Sequence, residues 1–213
     1  MFLICFISRD KLTLVKELIQ IGIFIIMKAI VQQNPCKGKL LLSKPLMKDD
    51  FFHNAVILLT EYDESGVVGF IINKPVNLSL IDLLDDFPEF DAPVYYGGPV
   101  SSDNLYFIHR VPEMIEDSIH IINDLYWGGN FDQVVELIEQ KELNENDIRF
   151  FLGYSGWDSE QLELELVDDS WIIDEMDNSL FDWDVVSLWK KRLKEQGDKY
   201  QLWANAPEDI RLN

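Results

Sequence analysis

A glycine-flanked serine is the part of this sequence that comes nearest to a catalytic motif. Residues 149–157 read R-F-F-L-G-Y-S-G-W, which predicts a short apolar strand followed by a turn that presents Tyr154 and Ser155. In the G-x-S-x-G elbow of serine hydrolases, small residues on both sides of the serine let the backbone turn sharply. Gly153 fits that pattern, but Trp157 stands at the place of the second glycine. The segment therefore predicts a shaped turn without the complete hydrolase motif.

A serine nucleophile also needs a general base and a group that orients the base. The chain has three histidines, His53, His109 and His120, and the sequence places none of them beside Ser155. His109 lies in an apolar, strand-like run, where a structural histidine is the usual explanation. We therefore assign no catalytic residue, and we keep as an alternative a hydrolase-like enzyme that uses the turn at residues 153–157 with Ser155.

A second glycine segment, G-G-P-V at residues 97–100, offers a binding site instead. If it meets the turn at residues 153–157 in space, exposed backbone amides would lie beside a tyrosine and an indole and line a concave site for a small ligand or a peptide. The other reading is that both segments are tight turns and that the tryptophan anchors the core. The candidate ligand-binding residues are Gly97, Gly98, Gly153, Tyr154, Ser155, Gly156 and Trp157.

The sequence predicts no metal site and no cofactor. Eleven acidic residues and no Lys or Arg occur from Asp158 to Asp184, but there is neither a calcium-loop spacing nor an H-E-x-x-H pair. Acids spread in this way are typical of a solubilising surface. Cys5 and Cys36 are too few for a disulfide framework and lack the C-x-x-C spacing of zinc and redox sites. We therefore expect a reducing, cytoplasmic setting.

The charge balance argues against direct binding of nucleic acid. The chain has 18 Lys and Arg against 38 Asp and Glu, a formal net charge of -20. Phosphate backbones are bound largely by cationic side chains that displace counterions. Four basic residues do cluster in one predicted helix, where they are typical of a solvated helix face; they are Lys190, Lys191, Arg192 and Lys194.

The first 27 residues differ from the rest of the chain. Their apolar runs, residues 2–7 and 12–27, are shorter than the roughly 20 apolar residues that a membrane-spanning helix needs. No signal-peptide cleavage pattern follows them. Met27 resembles an alternative start, so we predict that residues 1–26 are an extension absent from the natural protein. The alternatives are an amphipathic, membrane-associating segment, which is the one case in which we expect a membrane partner, and an added packing helix.

Residues 27–213 are predicted to form a single domain, because the chain is long enough for one well-buried core. Strand patterns occur at residues 38–43, 54–62, 67–73, 94–96, 105–109, 119–122, 148–152 and 171–173, and helix patterns after Ser79 and at residues 131–141, 159–167 and 185–196. A short D-E-S-G loop joins two of the strands into a hairpin. Strands in runs with interspersed helices favour an α+β fold over a doubly wound parallel sheet.

Five motifs, taken together and in order, closely resemble the YqgE/AlgH family of bacterial proteins. They are G-K-L-L-L-S-K-P at residues 38–45, G-F-I-I-N-K-P at 69–75, G-G-P-V at 97–100, L-Y-W-G-G at 125–129 and F-L-G-Y-S-G-W at 151–157. The resemblance runs from about Met27 to Asn213. It implies an α+β fold with a small β-barrel-like, bifurcated sheet surrounded by helices.

The same resemblance implies no catalytic residues, because members of the family have no established activity. Some members are labelled transcriptional regulators. We therefore expect a cytoplasmic, non-enzymatic binding or regulatory module that acts through a small ligand or a protein partner. A transcription regulator that acts indirectly is a second alternative, since the charge of the chain disfavours direct contact with DNA.

Overall fold

The computed structural model describes residues 34–45, 47, 49–158, 160–177, 185 and 187–205. Predictions about residues 1–26, about a start at Met27 and about a helix cap at Ser159 lie outside these residues. No helix among the described residues is long and apolar enough to span a membrane.

Nine strands and five α-helices make up the described part of the chain, which confirms the α+β fold. The strands are β1 Lys39–Ser43, β2 Val56–Asp63, β3 Gly66–Ile71, β4 Val94–Tyr96, β5 Val100–His109, β6 Ile119–Ile122, β7 Leu125–Trp127, β8 Ile148–Trp157 and β9 Trp171–Glu175. The helices are α1 Leu80–Leu83, α2 Phe131–Glu139, α3 Gln161–Val167, α4 Leu188–Glu195 and α5 Gln201–Ala204. Single 3-10 turns occur at Glu145–Asp147 and Asp198–Tyr200.

Strand β8 is the point at which the sheet branches. The strands follow the order β6-β7-β5-β8-β3-β2-β1-β9, and β4 adds to β8 outside this path. The middle of β8 has two partners, since Phe151 lies opposite both Tyr95 of β4 and Tyr106 of β5. Its last residues leave both strands and pair with β3, where Gly156 lies opposite Val68. This change of partners produces the bifurcated sheet.

The sheet curls but does not close into a barrel. In the described part of the chain its end strands, β6 and β9, each pair with a single neighbour. Strand β6 approaches the residues that precede β1 without a described backbone ladder between them: Lys37 Nζ donates to the carbonyl oxygen of His120 at 2.8 Å. A Cβ on Gly38 would lie 2.9 Å from Cβ of Ile122, so the two backbones are close here. The predicted barrel-like shape is therefore an open curl.

Both faces of the sheet are covered. One hydrophobic cluster joins Leu40 and Leu42 of β1 to residues of seven other strands and of α4, and so fills the inner side of the curl. Another joins Leu41 to Leu162 of α3. Successive side chains of a strand point to opposite faces, so the uninterrupted L-L-L run of β1 is explained by burial on both sides. A third cluster packs α2 against β8, through Val134 and Phe150 among others.

Two helices begin where the sequence predicts. Asn130 caps α2, because its side chain accepts from the backbone N–H groups of Asp132 and Gln133. Ser79 precedes α1 and forms a capping box with Asp82. These starts depend on residues within one turn of each other, which is why local sequence is sufficient to predict them.

Arg192 belongs to the predicted basic helix face, but its side chain is buried and links α4 to β9. Its side chain is only 9% exposed. Nε donates to Asp174 Oδ2 at 2.7 Å, and Nη1 donates to Asp177 Oδ2 at 3.2 Å. The expectation of a solvated face is therefore wrong for Arg192. Its guanidinium forms ion pairs with acidic residues of β9 and of the loop after it, and these pairs keep the side chain buried. Lys191 and Lys194 are exposed as predicted.

Replacing Arg192 with Met should destabilise the fold by about 2–4 kcal/mol, because it leaves Asp174, with a side chain only 12% exposed, without its cation. Urea denaturation measures the change in the free energy of unfolding. Lys191→Met is the matched control on the same helix, and it should change stability by no more than about 0.5 kcal/mol. Equal stability of the two variants would show that Arg192 does not fasten α4.

Candidate functional site beside the glycine crossing

The two glycine segments of the sequence meet, backbone against backbone. The N–H of Gly97 donates to the carbonyl oxygen of Leu152 at 2.8 Å. A Cβ on Gly98 would lie 2.3 Å from the carbonyl carbon of Tyr154, and a Cβ on Gly153 would lie 2.4 Å from the carbonyl oxygen of Gly98. We call this contact between residues 97–98 and 153–155 the glycine crossing. No residue with a side chain would fit at these two positions.

The segment predicted as a turn is a continuation of β8. Gly153 interrupts the strand with a φ of +65°, and β5 bulges opposite it, so that Val100 pairs with Tyr154 while Leu105 pairs with Leu152. Beyond this irregularity, residues 155–157 are extended and pair with β3. The prediction of a strand-to-turn motif was wrong because it did not include β3, which supplies hydrogen-bond partners to the backbone after Gly153.

Ser155 and Trp157 are both buried and hydrogen-bonded. Ser155 Oγ donates to the carbonyl oxygen of Gly97 at 3.1 Å. Trp157 Nε1 donates to Glu165 Oε2 at 2.9 Å, and Trp171 Nε1 donates to the same oxygen at 2.7 Å. Trp157 therefore anchors helix α3 to the sheet, and Ser155 ties the two sides of the glycine crossing together.

The seven predicted ligand-binding residues differ in their access to solvent. Gly97, Gly98, Gly153, Ser155 and Trp157 are buried, Tyr154 is half-buried and Gly156 is exposed. The crossing itself is closely packed rather than concave. Ligand binding at its exposed members stays a prediction.

His109 is a buried structural histidine rather than a base for Ser155. Its Nε2 lies 3.2 Å from the carbonyl oxygen of Gly128, and the N–H of Val111 donates to its Nδ1 at 3.3 Å. These partners define a neutral ring with the proton on Nε2. Burial lowers the pKa of His109 to about 4, and the hydrogen bond to Gly128 acts in the opposite direction.

The surface beside the crossing has a cation and a phenol that sequence reasoning did not single out. Tyr96 comes directly before the crossing, and its ring stacks on that of Phe51 with ring centroids 6.1 Å apart. Lys74 Nζ donates to the carbonyl oxygen of Phe51 at 2.7 Å. Phe51 itself is 51% exposed. We call Phe51, Lys74 and Tyr96 the aromatic–lysine cluster.

Local hydrogen bonds hold the loops that carry this cluster. The carboxylate of Asp49 accepts from the N–H groups of residues 51 and 52 at 2.8 and 3.1 Å. Asn73 bridges to the neighbouring strand, since its Oδ1 accepts from the N–H of Val56 and its Nδ2 donates to the carbonyl oxygen of Asn54, both at 2.8 Å. These hydrogen bonds fix the positions of the two loops relative to the sheet.

Both ionisable groups of the cluster have shifted pKa values. Burial lowers the pKa of Lys74, while the charge of Asp49 raises it. Burial, and then Asp49, raise the pKa of Tyr96, so its phenol is protonated at neutral pH. Tyr96 Oη is buried and has no hydrogen-bond partner in the described part of the chain. Within the same residues, Lys74 Nζ has a single acceptor, the carbonyl oxygen of Phe51.

A signal for this site was present in the sequence. Lys74 is the one cation between residues 49 and 109. It lies three residues after the buried end of β3, where burying a cation costs free energy. The described residues contain no group of three or more His, Cys, Asp and Glu placed to hold a metal ion.

Comparison with known proteins identifies the family. The family model described as AlgH-like matches residues 40–201. A UPF0301 protein of Cytophaga hutchinsonii is 41% identical over 179 residues, covering 83% of this chain and 98% of that protein. One from Bacteroides fragilis is 40% identical over 181 residues, covering 84% and 92%. The chain belongs to the AlgH-like family, as its five motifs predict.

Solved structures agree with this assignment. The solution structure of the AlgH protein from Pseudomonas aeruginosa has a TM-score of 0.63 at 29% identity, covering 83% of this chain and 98% of that one. A crystal structure of a Corynebacterium diphtheriae protein has a TM-score of 0.66 at 19% identity, covering 82% and 94%. The second likeness shows the fold alone.

Gly98→Ala and Gly153→Ala should each destabilise the protein by about 2–4 kcal/mol. Both residues have positive φ, +153° and +65°, and an added Cβ would meet backbone atoms at 2.3–2.4 Å. Gly156→Ala is the matched control, because its Cβ would meet side chains and no backbone: the edge of the Tyr154 ring at 3.0 Å and Val100 Cγ2 at 3.7 Å. It should cost less than about 1 kcal/mol. Chemical denaturation compares the three, and a Gly156 variant as unstable as the others would contradict the assignment.

His109 should make stability depend on pH. Its pKa is lowered to about 4 in the folded protein, whereas an unfolded histidine has a pKa of about 6.5. The unfolded state therefore binds more protons between these values, and the stabilisation is complete above pH 6.5 and is lost as pH falls toward 4. Urea denaturation of wild type and of His109→Gln from pH 4 to 8 isolates this effect from that of the carboxylates. A difference between the two that does not vary with pH would refute it.

Proposed function

We propose that this protein is a non-enzymatic binding module whose aromatic–lysine cluster takes up a small carboxylate ligand. The observation that carries the proposal is the buried phenol oxygen of Tyr96, which has no hydrogen-bond partner in the described part of the chain. The charge of Asp49 acts on both this phenol and the half-buried ammonium of Lys74. Phe51 touches both, through its ring and its carbonyl oxygen. A buried polar group without a partner costs stability, which a ligand acceptor would recover.

The donors determine the class of ligand. One phenol O–H and the remaining ammonium hydrogens of Lys74 can bind two oxygens of a carboxylate. Asp49 lies near both groups and offsets part of the lysine charge, which favours a single negative charge over a phosphate dianion. The exposed ring of Phe51 supports a ligand with a planar apolar portion.

The net charge of the chain limits the size of the ligand. At -20 the net charge of the protein repels polyanions. A monocarboxylate is repelled far less than a nucleic acid, because it carries one charge. This is the reason that a small ligand, rather than DNA, fits the site, and any effect on transcription would be indirect.

A ligand bound to Tyr96 would be coupled to the glycine crossing through the backbone. Tyr96 is joined to Gly97, whose carbonyl oxygen accepts from both Ser155 Oγ and the N–H of Ile71. A ligand that restrains Tyr96 therefore restrains the glycine crossing, which suits a regulatory module. The cytoplasmic setting indicated by the cysteines is part of this proposal.

The test is an NMR titration of the ¹⁵N-labelled protein with benzoate, acetate and inorganic phosphate. Benzoate should give saturable shifts centred on the amides of Phe51, Lys74 and Tyr96, acetate weaker ones and phosphate the weakest. Affinity should fall as pH rises through the lowered pKa of Lys74, since the ammonium loses its charge.

Two variants test the donors. Lys74→Met and Tyr96→Phe should each weaken benzoate binding about tenfold, the loss of roughly 1.4 kcal/mol expected for one hydrogen bond to a charged group. Lys191→Met removes an exposed cation from a different element and should bind as wild type does. Absent shifts in the cluster, or equal affinity of Lys74→Met and wild type, would reject the proposed site.

A further inference from the structure

Helix α3 exposes two apolar side chains on the side away from the core. Leu164 is 66% exposed and Val167 is 82% exposed. They are three residues apart and therefore neighbours on one helix face. Leu162, on the opposite face, is fully buried. A helix that packs on a sheet normally places polar residues where these two stand.

Acidic residues surround this pair. Glu160, Glu163 and Asp168 are exposed and flank Leu164 and Val167 on the same side of the helix. No Lys or Arg occurs between residues 158 and 177. We call these five residues the acidic–apolar face.

The loop between β2 and β3 extends the acidic rim. Tyr62 Oη donates to the carboxylate of Glu163, which brings the end of β2 against α3. Asp63 and Glu64 follow directly and are exposed. The apolar pair is thus bordered by acids from two separate elements.

The acidic–apolar face is held rigidly from below. On the inner side of α3, the carboxylate of Glu165 accepts the indole N–H groups of Trp157 and Trp171. Its other oxygen accepts from Gln161 Nε2 at 2.9 Å. These hydrogen bonds restrain α3 on the sheet. Its outer face therefore keeps one orientation.

We propose that the acidic–apolar face docks a basic amphipathic helix of a partner protein. The apolar stripe of that helix would cover Leu164 and Val167, and its Lys and Arg side chains would pair with the acidic rim, an apolar centre with a polar border as in other protein interfaces. Charge complementarity selects this occupant. A second copy of the chain would bring acids against acids, and nucleic acids and anionic membranes are repelled for the same reason.

The size of the face determines the expected strength. A helix of seven residues is about 10 Å long and can contact roughly two turns of a partner helix. Such an area is below that of stable complexes, so binding should be transient and in the micromolar range. It should also weaken with salt, because exposed charges are screened. This inference does not depend on the ligand site at Lys74.

The experiment uses a fluorescently labelled synthetic peptide of Leu and Lys with an amphipathic helical pattern, and measures anisotropy with the whole protein. A scrambled peptide of the same composition, without the apolar stripe, is the first control. The patterned peptide should bind at least tenfold more tightly than the scrambled one. Equal binding of the two would mean that only the overall charge is recognised, and would overturn the proposal.

Matched variants locate the contact. The double variant Leu164→Ser with Val167→Ser should weaken binding at least tenfold and leave the melting temperature unchanged, because both side chains are exposed. Glu160→Gln, Glu163→Gln and Asp168→Asn together should weaken it and reduce its salt dependence. Glu136→Gln, Glu139→Gln and Glu142→Gln change the charge equally on and after α2, and should have little effect.

Two results would overturn the proposal. The first is a loss of affinity in the α2 control variant as large as that in the α3 charge variant. The second is a dimer in sedimentation velocity that disappears in the Leu164→Ser and Val167→Ser variant, because the face would then be occupied by a second copy of the chain.

Discussion

The fold depends on one backbone contact, the glycine crossing. Carbonyl and amide groups of residues 97–98 lie directly against residues 153–155, at distances that leave no room for a Cβ. Because β8 can bend there, its first half joins β4 and β5 and its last residues join β3. The branched sheet, its curl and the position of Tyr96 at the surface all follow from this approach. Ser155 contributes as a buried hydrogen-bond donor to the carbonyl oxygen of Gly97.

The two proposed surfaces depend on this framework in different ways. The aromatic–lysine cluster is directly joined to the crossing through Tyr96 and Gly97. The acidic–apolar face is joined to it through Trp157, the last residue of β8, whose indole holds Glu165 of α3. Strand β8 is therefore connected both to the aromatic–lysine cluster and to the acidic–apolar face.

Sequence reasoning succeeded where the determinants are local. The hairpin of β2 and β3 follows from a four-residue loop between apolar runs, and the start of α2 follows from the side chain of Asn130. It failed where the determinants are distant. Residues 155–157 are a strand only because β3 pairs with them, and Arg192 is buried only because Asp174 lies across from it. Tyr96 could not be recognised as part of a site because its neighbour Phe51 lies 45 positions earlier in the chain.

The order of the strands has a consequence for synthesis of the protein. Strand β1 pairs with β2 on one side and with β9 on the other, and Lys39 and Glu175 lie opposite each other although 136 positions separate them. One edge of β1 therefore stays unpaired during synthesis until β9 has left the ribosome. Closing so long a loop is slow, and an apolar edge exposed meanwhile invites pairing with other chains. Among the described strands, the last to be synthesised is thus the one that covers the open edge of the first.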